Sequence, residues 1–100
     1  MENVLKMSLK GIVQNPQTTF VDVRSREEFA DGHFPGATNI PLPEITVKAT
    51  ELKAANNPLV LYCRSGARSM NAYFLLKQRG LENVHNAGGF YDLLTLKNLN

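Results

Sequence analysis

The chain has 100 residues, which suits one domain with a sizeable core and no disulfide or metal staples. Its 43% hydrophobic and 20% charged residues are the balance of a soluble globular protein, and a net charge of +2 from scattered basic residues leaves no nucleic-acid footprint. One cysteine excludes an intrachain disulfide framework and a multi-cysteine zinc site, and it suits a reducing compartment.

"ENVLKM" reads as a short first strand and "SLKGIVQN" as one or two helical turns, ended by Asn15-Pro16. Thr18 to Val23, apolar and β-branched, reads as a strand. Ser25 followed three residues later by Glu28 forms a capping box, so a short helix follows and stops at Gly32. The Pro/Gly-rich "HFPGATNIPLP" leaves room for a short strand at Ala37 to Ile40. Ile45, Ala49 and Leu52 recur at helical spacing, and Asn56-Asn57-Pro58 breaks that helix.

"LVLYC" is a continuous apolar run of the kind found in a strand buried on both faces. "GARSMNAYFLLKQRG" is the best helix, with Ala67, Met70, Tyr73 and Phe74 on one face and Gly80 at its end. "NVHNAGG" holds a last strand and a glycine turn, and "FYDLLTLKNL" a final amphipathic helix. Strands alternate with helices, which predicts a parallel sheet covered on both faces. Ligands of such sheets sit beyond the carboxyl ends of the strands, here "DVR" at Asp22 to Arg24 and "YCRSG" at Tyr62 to Gly66.

Cys63 ends the buried strand just before the best helix. A lone cysteine after an apolar run is most often a small buried hydrophobe. A core position, however, needs no glycine and two arginines in the next five residues. Gly66 permits a tight curve, the N–H groups of Arg64, Ser65, Gly66, Ala67, Arg68 and Ser69 can form an anion nest, and the helix start adds its dipole. With the Arg64 and Arg68 charges, this loop should favour thiolate over thiol and bind an anionic substrate against the sulfur.

"CRSGAR" before a helix resembles the active-site loop of the rhodanese family of sulfurtransferases. "FVDVRSREEFADGHFPGATNIPL" resembles that family's N-terminal signature, and "NVHNAGGF" its closing strand and glycine turn. The likeness runs from Thr19 to about Leu94. It implies a single rhodanese domain over residues 1–100, a three-layer α/β/α fold with a five-stranded parallel sheet. It also implies ping-pong chemistry: Cys63 takes the outer sulfur of thiosulfate or a similar small anionic donor, holds it as a persulfide, and yields it to cyanide or a thiol, protein thiols included. No metal or organic cofactor is required, and neither nucleic acid nor membrane is an expected partner. Cell-cycle-type phosphatases share the fold with a loop one residue longer. Four residues separate Cys63 from Arg68, so the smaller cradle favours sulfur over phosphoryl transfer. A persulfide carrier in a sulfur relay is the alternative reading, ahead of a phosphatase or arsenate reductase.

Asp22, at the expected rim, is assigned a supporting role: accepting from loop N–H groups or pairing with an arginine. Arg24 and Glu28 are expected to pair with each other and carry no chemistry. His33 and His85 are read as structural. Gly88-Gly89 would let backbone approach the loop or form a tight turn, Phe90 would wall the pocket, and Tyr73, Phe74, Phe90 and Tyr91 are read as core and helix packing, not as a stacking platform. No apolar run is long enough to span a membrane, and the N-terminus lacks signal-peptide features. A cytoplasmic location is expected, or a periplasmic one if the sequence is a trimmed mature form.

Overall fold

A computed structural model describes residues 9–98. The first described helix, α1, covers residues 9–14. Then follow β1 (Thr19–Asp22), α2 (Arg26–Ala30), β2 (Thr38–Asn39), a 3-10 turn (Leu42–Glu44), α3 (Ile45–Ala55), β3 (Leu59–Cys63), α4 (Ala67–Gln78), β4 (Val84–Gly89) and α5 (Phe90–Asn98). The strands form one parallel sheet in the order β2-β1-β3-β4. Among the described residues the sheet therefore has four strands, not the expected five; the strand expected at "ENVLKM" lies outside them.

The central strand β3 is buried along its whole length, and its side chains alternate between two cores. Leu59, Leu61 and Cys63 pack with Ile45 and Ala49 of α3 and with Ala72 and Leu76 of α4. Val60 and Tyr62 face the other way, toward Val13 of α1 and Leu93 and Leu96 of α5. Helices thus cover both faces, as a parallel sheet requires. No helix among the described residues is long and apolar enough to cross a membrane.

Local chemistry explains the boundaries. Ser25 accepts from the Glu28 N–H while the Glu28 carboxylate accepts from the Ser25 N–H, the reciprocal capping expected at the start of α2. Asn56 ends α3 in the left-handed conformation at φ 56°. The buried stripe of α4 differs from expectation. Ser69, Ala72, Tyr73 and Leu76 face the sheet, while Met70 and Phe74 are 43% and 56% exposed. The true stripe also has helical spacing, but its first member is a serine, whose polarity hides it. Tyr91 is likewise exposed, so of the four aromatics expected in core and helix packing Tyr73 and Phe90 are partly buried against the two cores, while Phe74 and Tyr91 meet those rings on the helix surface.

Candidate active site

The sheet register brings the ends of three strands to one place. Asp22 lies beside Tyr62, and Cys63 beside Gly89. Between Leu61 and Tyr62 the β3–β4 register slips, so Leu61 faces Asn86 and Tyr62 faces Gly88. This bulge sends Gly88 to φ +88° and turns the end of β4 against the loop after Cys63. The contact is backbone to backbone: a Cβ on Gly66 would lie 3.3 Å from the Gly88 Cα, and one on Gly89 would lie 2.6 Å from the Arg64 carbonyl oxygen. Gly88-Gly89 thus makes both the close approach and the turn into α5.

Within this frame the Cys63 side chain is buried, and the chain reverses over it. Gly66 sits at φ +111° as the N-cap of α4, a conformation costly for any side chain. Its N–H donates to Cys63 Sγ at 3.0 Å. The buried Ser69 hydroxyl lies 3.5 Å from the sulfur, 3.1 Å from the Gly66 carbonyl and 3.4 Å from the Gly88 carbonyl. Burial pushes the Cys63 thiol up, but hydrogen bonds from the Ser69 side chain and from the Ser69, Gly66 and Ser65 N–H groups outweigh it. The thiol ends below its ordinary value.

The loop residues divide by placement. Ser65, Gly66 and Ser69 bear directly on the sulfur. Arg64 and Ala67 are exposed, the first beside Cys63 and the second in the opening turn of α4. Arg68, half-buried, is held by Glu28: Nη1 donates to Oε1 at 2.7 Å and Nη2 to Oε2 at 3.0 Å. Arg68 therefore meets the site as half of an ion pair, not as a free cation. The paired Arg68 guanidinium and the Ser25 backbone N–H draw the Glu28 carboxyl down to about 2.

Asp22 is fully buried and accepts from no loop N–H. Its register partner Tyr62 projects to the core opposite Cys63, and Asp22 shares that side. It accepts from the Arg24 N–H at 2.8 Å, from Arg24 Nε and Nη2 at 3.0 and 2.7 Å, and from the Tyr62 hydroxyl at 2.8 Å. Arg24 Nη2 also reaches the Gly32 carbonyl, and the Phe34 N–H donates to the Tyr62 hydroxyl at 2.9 Å. The Arg24 guanidinium lies 5.1 Å from the Phe90 ring centroid and 5.7 Å from that of Tyr62. This network joins β1, β3, the segment before β2 and the start of α5 behind the loop.

The expected Arg24–Glu28 pair does not form. Asp22 and Arg24 are two residues apart on extended chain and share a face, so Arg24 turns inward. Glu28, freed of it, reaches across to α4. Glu28 and Tyr62 are rim and support residues to which sequence reading assigns no part in the site. The capping-box position of Glu28 supplied a sufficient local explanation, and Tyr62 looked like one more apolar strand residue. Asp92 is a third: its carboxylate accepts from the Gly89 N–H at 3.0 Å, a three-residue spacing that marks a helix start. His33 is bonded to the Phe29 carbonyl and stacked on the Phe29 ring, and His85 is bonded to Asn83; neither touches the sulfur.

A thiolate-prone sulfur in an N–H cradle at the carboxyl end of a parallel sheet narrows the choice of families. Residues 6–95 match the model of the Rhodanese-like domain. The chain belongs to the rhodanese-like sulfurtransferase family. It is 37% identical over 75 residues to thiosulfate sulfurtransferase PspE of Escherichia coli (strain K12), covering 74% of this chain and 72% of that one. It is 31% identical over 96 residues to the thiosulfate:glutathione sulfurtransferase of Homo sapiens, covering 83% and 84%. Other relatives are longer, and the chain spans only 56% of one and 35% of another. Among solved structures, the human single-domain sulfurtransferase TSTD1 superposes with a TM-score of 0.71 at 30% identity, covering 93% of this chain and 94% of that one.

Proposed function

We propose that this rhodanese-like protein is a thiosulfate-type sulfurtransferase, one domain over residues 1–100, that works through a persulfide on Cys63. The observation that carries the reading is the buried Cys63 sulfur with the Gly66 N–H at 3.0 Å and the Ser69 hydroxyl at 3.5 Å. Donors aimed at a sulfur lower the cost of its negative charge. They serve the attacking thiolate and then the anionic outer sulfur of the persulfide.

In the first half-reaction the thiolate attacks the outer sulfur of thiosulfate, the donor's S–S bond breaks, and sulfite leaves with the electron pair. In the second, cyanide or a thiol, protein thiols included, attacks the outer persulfide sulfur and restores the Cys63 thiolate. Splitting the transfer this way replaces one difficult step with two easier ones. Arg64 and the N–H groups of the loop from Ser65 to Ser69 hold the donor anion, with the Arg68 side chain at its edge paired to Glu28, while Asp22 supports the loop through Arg24 and Tyr62. The relatives named for thiosulfate sulfur transfer support the donor class.

The test is intact-mass measurement after incubation with thiosulfate. The expected result is the gain of one sulfur atom, lost on adding cyanide and absent in Cys63→Ser. Sulfur uptake from a cysteine desulfurase but not from thiosulfate would replace the enzyme with a carrier. Turnover of an aryl phosphate without sulfur uptake would overturn both.

A further inference from the structure

Arg68 looks like a free cation of the cradle in the sequence. In the fold, both of its terminal nitrogens are bound by one carboxylate contributed from a different connection of the chain, 40 residues away. Glu28 is itself fixed, because its Oε1 also accepts from the Ser25 N–H at 3.1 Å. Arg68 and Glu28 side chains are 38% and 32% exposed, so the pair sits at the solvent edge of the loop. It lies within electrostatic reach of the sulfur: Arg68 directly precedes Ser69, and its guanidinium is held in its charged form first by Glu28 and also by Cys63. The exposed Arg64 makes no ion pair among the described residues. The two arginines and Glu28 thus leave one net positive charge at the mouth, where the sequence suggests two.

We propose that Glu28 is a positioning residue that sets donor specificity: by engaging both terminal nitrogens of Arg68 it fixes that guanidinium and cancels its charge, so the mouth favours dianionic over singly charged sulfur donors less than two free arginines would. The inference rests on the sulfurtransferase reading above.

Two donors isolate the charge. Thiosulfate carries two negative charges, and the methanethiosulfonate anion carries one; both present a terminal sulfur bonded to a sulfonyl sulfur. In each case the Cys63 thiolate forms a bond to the terminal sulfur and the donor's S–S bond breaks. The electron pair leaves on sulfite or on methanesulfinate. No proton, external oxidant or reductant enters.

The readout is the ratio of kcat/KM for thiosulfate to kcat/KM for methanethiosulfonate, each with cyanide as acceptor. Glu28→Gln keeps a capping side chain at this position. It should raise the ratio about three- to fivefold, the effect of one charge several ångströms away in a largely aqueous dielectric. Arg68→Gln, which leaves Glu28 uncompensated, should lower it by a similar factor. The double variant has the wild-type net charge and should return to within about twofold of the wild-type ratio, a cycle that a merely structural role would not produce. Asp92 is constant through the series.

Equal changes for both donors in Glu28→Gln, or a double variant that stays at the Arg68→Gln ratio, would overturn the proposal. Should Glu28→Gln fold poorly, an Arg68→Gln ratio equal to wild type would also overturn it. Wild-type protein that takes sulfur from neither donor would instead overturn the sulfurtransferase reading itself.

Discussion

Replacing Gly89 by alanine adds one methyl group at the point where β4 presses on the loop after Cys63. The new Cβ would lie 2.6 Å from the Arg64 carbonyl oxygen and 3.2 Å from Asp92 Oδ2. The carboxylate can swing aside, but the carbonyl belongs to the loop backbone and must move with it. Gly89 has no positive φ, so the substitution tests the contact alone. Overpacking of this kind costs about 1–3 kcal/mol. Displacing Arg64 also draws the Ser65 and Gly66 N–H groups from the sulfur, and a hydrogen bond to a charged group is worth about 1.5–3 kcal/mol. Stability is read from the urea midpoint, and the thiolate from the rate of iodoacetamide alkylation against pH. Gly89→Ala should unfold at lower urea, and its alkylation profile should move up toward the free-thiol value of about 8.5. Stability within about 0.5 kcal/mol of wild type, with a superimposable profile, would refute the reasoning.

Tyr62→Phe leaves the Phe34 N–H without its partner and removes a donor from the buried Asp22 carboxylate. The expected loss is about 2–3 kcal/mol in urea unfolding, and a loss below about 0.5 kcal/mol would show that the hydroxyl holds nothing together. Ser69→Ala deletes the hydroxyl near the sulfur and should shift the alkylation profile upward for a stability cost of about 1 kcal/mol; an unchanged profile would remove Ser69 from the groups that stabilise the thiolate. Glu28 titrates at about 2 when folded, against an ordinary 4.5, so its contribution is fully present above pH 4.5 and fades as pH falls toward 2. The urea midpoint of wild type should therefore fall more steeply than that of Glu28→Gln between pH 5 and 2; parallel curves would mean that the ion pair adds no stability.

Some of this architecture was readable because it depends on neighbours in the chain. The capping of α2 needs only Ser25 and Glu28, and the central strand needs only five apolar residues between a proline and a glycine-bearing loop. The curve around Cys63 was readable for the same reason: Gly66 and the start of α4 follow within four residues. The buried face of α4 was not, because Ser69 lies on it and earns its place through bonds to Cys63, Gly66 and Gly88. Hydrophobicity alone then pointed to Met70 and Phe74, which face outward.

The sequence by itself determined the alternation of strands and helices, the position of Cys63 at the end of a buried strand and the N–H curve that follows it, since each is a matter of local spacing and backbone freedom. The tertiary structure decided the charges around that cysteine. Parallel pairing of β1 with β3 set Asp22 beside Tyr62 and away from the thiol, and Arg24 followed Asp22 inward. That left Glu28 to meet Arg68 across 40 residues. A carboxylate finds its partner by proximity in space, and only the tertiary arrangement that brings α2 within ion-pair reach of the start of α4 makes these two close.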